Sequence, residues 1–231
     1  PYPAPDTRAV SLVQRPQQKP ETALVQGRAG VKEQGPPINV ILLIGDGMGA
    51  AHLDAASLYL HGETGQMFMQ SAPFKSQIET DNLHGGLTDS AAAATAMATG
   101  QKVTNSAISV GSARQPLETS LEFFQKRCKS TGLVATSYLN HATPAAFGAH
   151  QPQRTLLAQI ANDFFTLTRP NVLFGGFREG ISPQIATAHG YKVVTDRTEL
   201  SAVASTNASH ISGQFGYGNM GFEYDHRTGR T

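Results

Sequence analysis

The sequence predicts an α/β fold, a doubly wound and mostly parallel sheet flanked by helices. Three observations carry this expectation. Val40-Ile41-Leu42-Leu43-Ile44 is an unbroken apolar run, the pattern of a central parallel strand covered on both faces. Glycine turns follow apolar segments at Gly45-Asp46-Gly47 and Gly175-Gly176. Strand-like and helix-like segments then alternate along the chain, as a sheet with right-handed crossovers requires.

Taken in order, residues 1–38 read as an extended arm. Pro1, Pro3, Pro5, Pro16, Pro20, Pro36 and Pro37 interrupt any helix, and Gln and charged residues fill the gaps. Such a segment buries too little surface to fold alone, so it is a flexible tail or docks on something. The body runs from Asn39 to Thr231. After the apolar run, residues 50–60 read as a helix and Lys75 to Thr80 as a further strand. A helix from Ala91 to Thr99 stops at Gly100. An amphipathic helix spans 117–130, a strand Leu133 to Tyr138, a helical turn Pro144 to Ala149, and a helix 155–166. Val172 to Phe174 and Tyr191 to Thr195 read as strands, and the glycine-rich stretch from Ser212 to Thr231 as a loop.

Composition narrows the function classes. The 231 residues carry a formal charge of +1, so no basic field exists for a polyphosphate backbone and a nucleic-acid scaffold role is not expected. No apolar run approaches the ~18 residues of a membrane span. The single cysteine, Cys128, excludes an intrachain disulfide and reads as a half-buried helix residue. The chain opens Pro1-Tyr2-Pro3 with neither Met nor an apolar leader core. That start suits a removed secretory leader, and hence a secreted or periplasmic protein, or a trimmed chain.

Four places offer chemistry. Asp46 follows the apolar run, where ligands bind at the carboxyl edge of open α/β sheets. It is either a metal ligand or a cap for the next helix. Ser90 stands where a loop becomes a helix of small residues, Ser90-Ala91-Ala92-Ala93-Ala94. Its hydroxyl and the first free N–H groups then point the same way, which suits a phosphate and a nucleophile attacking phosphorus. The alternative is a Ser or Thr cap on a packing helix. His141 and Thr143, two apart in an extended stretch, share one side and suit a divalent ion. Otherwise His141 is merely hydrogen-bonded and Thr143 caps a helix begun by Pro144. Arg154 has a guanidinium fork that fits two phosphate oxygens, unless it is a surface residue. In a parallel sheet these positions converge on one edge, and the combination favours a site.

The segments Asn39–Gly49 (NVILLIGDGMG), Thr88–Gly100 (TDSAAAATAMATG) and His141–His150 (HATPAAFGAH) resemble the signatures of alkaline phosphatases, in order and with similar spacing. The resemblance implies a site of two zinc ions and one magnesium ion, with Ser90 as the nucleophile that becomes phosphorylated. It implies that Asp46 bridges the second zinc and the third metal ion, that His141 and Thr143 belong to that third site, and that Arg154 clamps phosphate with help from Asp89. The best-known bacterial form has Asp where His141 stands, whereas animal enzymes have His, which leaves the third ion's identity open. Other zinc ligands in the family come from the C-terminal half. Residues 39–231 are therefore expected to be the N-terminal half of a catalytic domain, incomplete without a complementing C-terminal chain or segment. Asp225-His226 superficially resembles a ligand pair but falls in a loop before that half and is expected to be exposed. The family is commonly dimeric, and its substrates are phosphate monoesters.

Overall fold

The computed structural model describes residues 39–203 and 206–222, which fall into two units divided between Ile44 and Gly45. In the first unit, residues 39–44 form no regular secondary structure, and Val40, Ile41, Leu42 and Leu43 are exposed. The expected central strand is therefore corrected. An apolar run favours a ladder, but a strand exists only through hydrogen bonds to a neighbour, and no described residue pairs with it. Lys75 to Thr80 is likewise no strand, with Ile78 exposed. The arm over residues 1–38 and the Asp225-His226 pair lie outside the described residues.

In the second unit the elements are α1 (Ala50–His61), α2 (Ser90–Thr99), α3 (Ser120–Gln125), β1 (Gly132–Tyr138), α4 (Ala142–Gly148) and α5 (Leu157–Asp163). A π-helical turn (Phe164–Thr168) continues α5. Then come β2 (Val172–Phe177), α6 (Pro183–Ala188), β3 (Lys192–Val194), α7 (Arg197–Val203) and β4 (Ile211–Tyr217). Among the described residues the strands form one parallel sheet in the order β1-β2-β4-β3, flanked by helices, so the α/β expectation holds.

Register explains which face is core. Leu133 pairs with Leu173, and both join Leu139, Ile160, Phe164 and Phe165 in the main apolar cluster. Burying each such side chain contributes about 1.5–3 kcal/mol. The alternate residues face the other way. There α7 packs against β3, where Val194 is buried, while Val134 on β1 is 74% exposed beside an open apolar trough of about 240 Å³.

Three helices depart from expectation. The amphipathic helix shrinks to α3 because the chain tightens into i→i+3 turns at Arg127 and Cys128. Cys128 takes φ 57° there and is exposed, not half-buried on a helix. α6 and α7 add short helices that the sequence pattern does not reveal. The segment read as a loop, from Ser212, contains all but the first residue of β4, which lies between β2 and β3 at the centre of the sheet. Gly213 is required there: a Cβ would stand 2.5 Å from the Phe215 ring and 2.8 Å from Phe174, which pack edge to face.

α2 positions the site. Its alanines have the highest helix propensity, and their small side chains let α2 approach α4 closely. Ala91 lies in the main cluster, and Ala92 lies in a second one with Val103, Ala107, Val110 and Leu117. The helix is thus wedged on two sides, which fixes its N-terminal end.

Candidate active site

The residue that starts α2 is Ser90, and the cap is Asp89, whose Oδ1 accepts the Ala92 N–H at 2.9 Å. Ser90 is therefore not the cap. Its N–H and that of Ala91 are taken by no acceptor among the described residues, so two donors and the positive end of a ten-residue helix surround its hydroxyl. Ser90 Oγ donates to Asp46 Oδ1 at 3.2 Å.

Asp46 does not cap α1, whose cap position is Gly49. Instead its second oxygen, Oδ2, accepts from Thr143 Oγ1 at 2.8 Å. Thr143 sits inside the first turn of α4, and His141 holds the cap position, so the expected extended stretch with Thr143 as cap is corrected. Pro144 falls third in the helix. A proline is tolerated there because first-turn N–H groups lack intrahelical partners anyway. One carboxylate thus gathers two hydroxyls from elements 44 and 97 residues away.

Arg154 completes a second, interleaved network. Its NH1 donates to Asp89 Oδ2 at 3.1 Å and its NH2 to His141 Nε2 at 3.2 Å. That contact makes Nε2 the acceptor and places the imidazole proton on Nδ1. Burial holds the His141 pKa below its ordinary value, the Arg154 charge adds to this, and Asp46 opposes it. The Tyr138 ring packs edge-on against His141, with centroids 4.9 Å apart. All five sequence-predicted site residues, Asp46, Ser90, His141, Thr143 and Arg154, are therefore brought together.

Sequence reasoning missed the support beneath them. Asn105 Oδ1 accepts the Asp89 N–H at 3.1 Å, and Ser106 N–H donates to Asp89 Oδ2 at 3.0 Å. The only signal was a turn-forming Thr104-Asn105-Ser106 stretch, which says nothing of its partner.

A family model described as alkaline phosphatase matches residues 38–179. The chain belongs to the alkaline phosphatase family. Among alkaline phosphatases, it is 34% identical over 199 residues to alkaline phosphatase 3 of Bacillus subtilis, covering 79% of this chain and 42% of that protein. It resembles the cold-active alkaline phosphatase of a Shewanella species with a TM-score of 0.64 and 32% identity, covering 79% of this chain and 47% of the other. A variant of the TAB5 alkaline phosphatase, solved with Mg bound, gives 0.63 and 26%, covering 75% of this chain and 51% of the other. The chain thus spans about half the length of the alkaline phosphatases it matches.

Asp46 and Thr143 offer hard oxygen donors, and His141 beside them would add its Nε2 once the Arg154 contact to that atom is released, a set suited to one divalent cation. A zinc pair needs about three protein ligands for each ion. Among the described residues no group of three or more His, Cys, Asp or Glu gathers to supply them. The residues fit a share of a metal centre.

Proposed function

We propose that this chain takes part in the metal-dependent hydrolysis of phosphate monoesters through a covalent phosphoserine on Ser90. The observation that carries the reading is the convergence of Ser90 and Thr143 on Asp46, with Arg154 held beside them by Asp89 and His141. No bland packing role needs a nucleophile, a carboxylate and a guanidinium at one helix N-terminus.

In the proposed first step Ser90 Oγ attacks phosphorus, and the bond from phosphorus to the leaving oxygen breaks. The hydroxyl proton departs along the contact to Asp46 Oδ1 and passes to solvent. The N–H groups of Ser90 and Ala91 and the Arg154 fork face the charge on the remaining phosphoryl oxygens. In the second step water attacks the phosphoserine, the Oγ–phosphorus bond breaks, and inorganic phosphate leaves with the Ser90 hydroxyl restored. Bound divalent cations supply the lowered hydroxyl and water pKa values and the neutralisation of oxyanion charge.

In this reading Asp46 and Ser90 contribute to a pair of zinc sites, and Asp46, His141 and Thr143 to a magnesium site. Among the described residues too few donors converge for the zinc pair, and in this reading a complementing C-terminal chain or segment would supply the rest. Residues 39–231 then act as the N-terminal half of the catalytic domain in a secreted or periplasmic homodimer. No helix among the described residues is long and apolar enough to cross a membrane. In the metal-loaded enzyme, Ser90→Ala should lower p-nitrophenyl phosphate turnover by several orders of magnitude, and chelation should abolish it. Full turnover by residues 1–231 with no other polypeptide present would overturn the need for a complementing segment.

A further inference from the structure

The turn Asn105-Ser106 is hydrogen-bonded to both Asp89 and Arg154, and neither turn residue follows from the motifs. Asn105 Oδ1 accepts from the Asp89 backbone N–H at 3.1 Å and from Asn82 Nδ2 at 3.1 Å, while its Nδ2 donates to Leu87 O at 2.9 Å. The Asn105 amide therefore holds the backbone on either side of Thr88, immediately before the nucleophile. Asn82 organises the same loop from within: its Nδ2 also donates to Leu87 O, and its Oδ1 accepts from His84 and Gly86 N–H groups. Next along, Ser106 gives its N–H to Asp89 Oδ2 and accepts the Arg154 backbone N–H on its carbonyl at 2.8 Å. To aim both groups Ser106 takes φ 72°, a left-handed conformation unfavourable for a residue with a Cβ. Strain of this kind persists where the surroundings hold it.

We propose that Asn105 is a positioning residue that sets the Ser90 hydroxyl against phosphorus, with Ser106 fixing the spacing from Asp89 to Arg154. This rests on Ser90 being the nucleophile. The physical reason is that Ser90 is the first residue of its helix. Its Oγ direction follows the Asp89 backbone, whose carbonyl is held by the Ala93 N–H and whose N–H only Asn105 anchors among the described residues. Arg154 has holds of its own that do not pass through Asn105, on the Asp89 carboxylate and on the Ser106 carbonyl. Loss of the Asn105 amide therefore loosens attack geometry and leaves the phosphate clamp in place. A misplacement near 1 Å costs on the order of a hundredfold in rate.

The test is kinetic, on the intact metal-loaded enzyme. Asn105→Ala should lower kcat for p-nitrophenyl phosphate by about ten- to a hundredfold. The inhibition constant of inorganic phosphate should change less than about threefold, because the Arg154 contacts survive. Asn105 is exposed, so the melting temperature should stay near that of the parent. Asn105→Asp keeps the acceptor for the Asp89 N–H and loses the donor to Leu87 O, so it should recover part of the loss. A kcat within threefold of the parent overturns the assignment. So does a fall in kcat matched by loss of phosphate affinity and of melting temperature, which is the mark of a structural role. Ser90→Ala runs alongside: if it turns over normally, both the nucleophile and this inference fall, whereas an inactive Ser90→Ala with an unaffected Asn105→Ala overturns Asn105 alone.

Discussion

Asp89→Asn asks more of this structure than any deletion, because it changes one atom of a side chain with three partners. Asp89 Oδ1 takes the Ala92 N–H at 2.9 Å, and Oδ2 takes the Ser106 N–H at 3.0 Å and Arg154 NH1 at 3.1 Å. All three partners are donors, so both carboxylate oxygens must accept. An amide has one acceptor oxygen and one NH2. With the oxygen on Ala92, asparagine still caps α2, but the NH2 faces Ser106 and Arg154 and both bonds are lost. With the amide turned over, those bonds return in weaker form and the cap is lost, at about 1 kcal/mol. A neutral hydrogen bond contributes about 0.5–1.5 kcal/mol. The ion pair, about a quarter exposed at each side chain, adds no more than about 1 kcal/mol. Asp89→Asn should therefore cost about 2 kcal/mol of stability in the first arrangement and about 1–2 in the second. Phosphate affinity should fall about tenfold in either, since the Arg154 fork loses its charged anchor. Urea unfolding measures the first quantity and calorimetric titration with inorganic phosphate the second. A variant with both values unchanged would show that the Asp89 carboxylate does not organise the site.

Two further predictions concern pH. Burial raises the Glu122 pKa, but the Thr119 N–H and His150 outweigh it and hold the carboxyl below its ordinary value of 4.5. A depressed carboxyl stabilises the fold above its unfolded pKa, and that contribution fades as pH falls through the folded value. Stability should thus decline below about pH 4.5, and Glu122→Gln should flatten that decline in acid titrations followed by circular dichroism. Tyr191 behaves oppositely: burial pushes its phenol up to about 12, opposed by Arg169, while its OH donates to Pro170 O at 2.7 Å. Its contribution is whole below about pH 10 and lost as pH rises through about 12, so Tyr191→Phe should flatten the alkaline decline. At neutral pH the same change leaves a buried carbonyl unpaired, costing about 1–3 kcal/mol in urea unfolding.

The candidate site was more legible than the fold. Hydroxyl, carboxylate, imidazole and guanidinium carry their chemistry in their side chains, so Asp46, Ser90, His141, Thr143 and Arg154 stood out before any geometry. Their local roles did not, because which residue caps a helix depends on where backbone torsions change, and His141 and Asp89 took the cap positions. Val40–Ile44 shows the limit of apolarity as a strand signal, since ladders need partners. β4 shows the reverse. Ser212 and Gln214 are buried polar residues there, and Gly213 and Gly216 interrupt the run, so a central strand carried no apolar pattern. Asn105 left no trace either. A turn residue advertises its own backbone preference and not the N–H it holds sixteen positions back.

The decisive measurement is to quench the turning-over enzyme with labelled aryl phosphate and map the label by peptide mass spectrometry. Label on the Ser90 hydroxyl, absent in Ser90→Ala, is the predicted result. Label on another side chain, or inversion at a chiral phosphorus with no labelled peptide, would contradict the account.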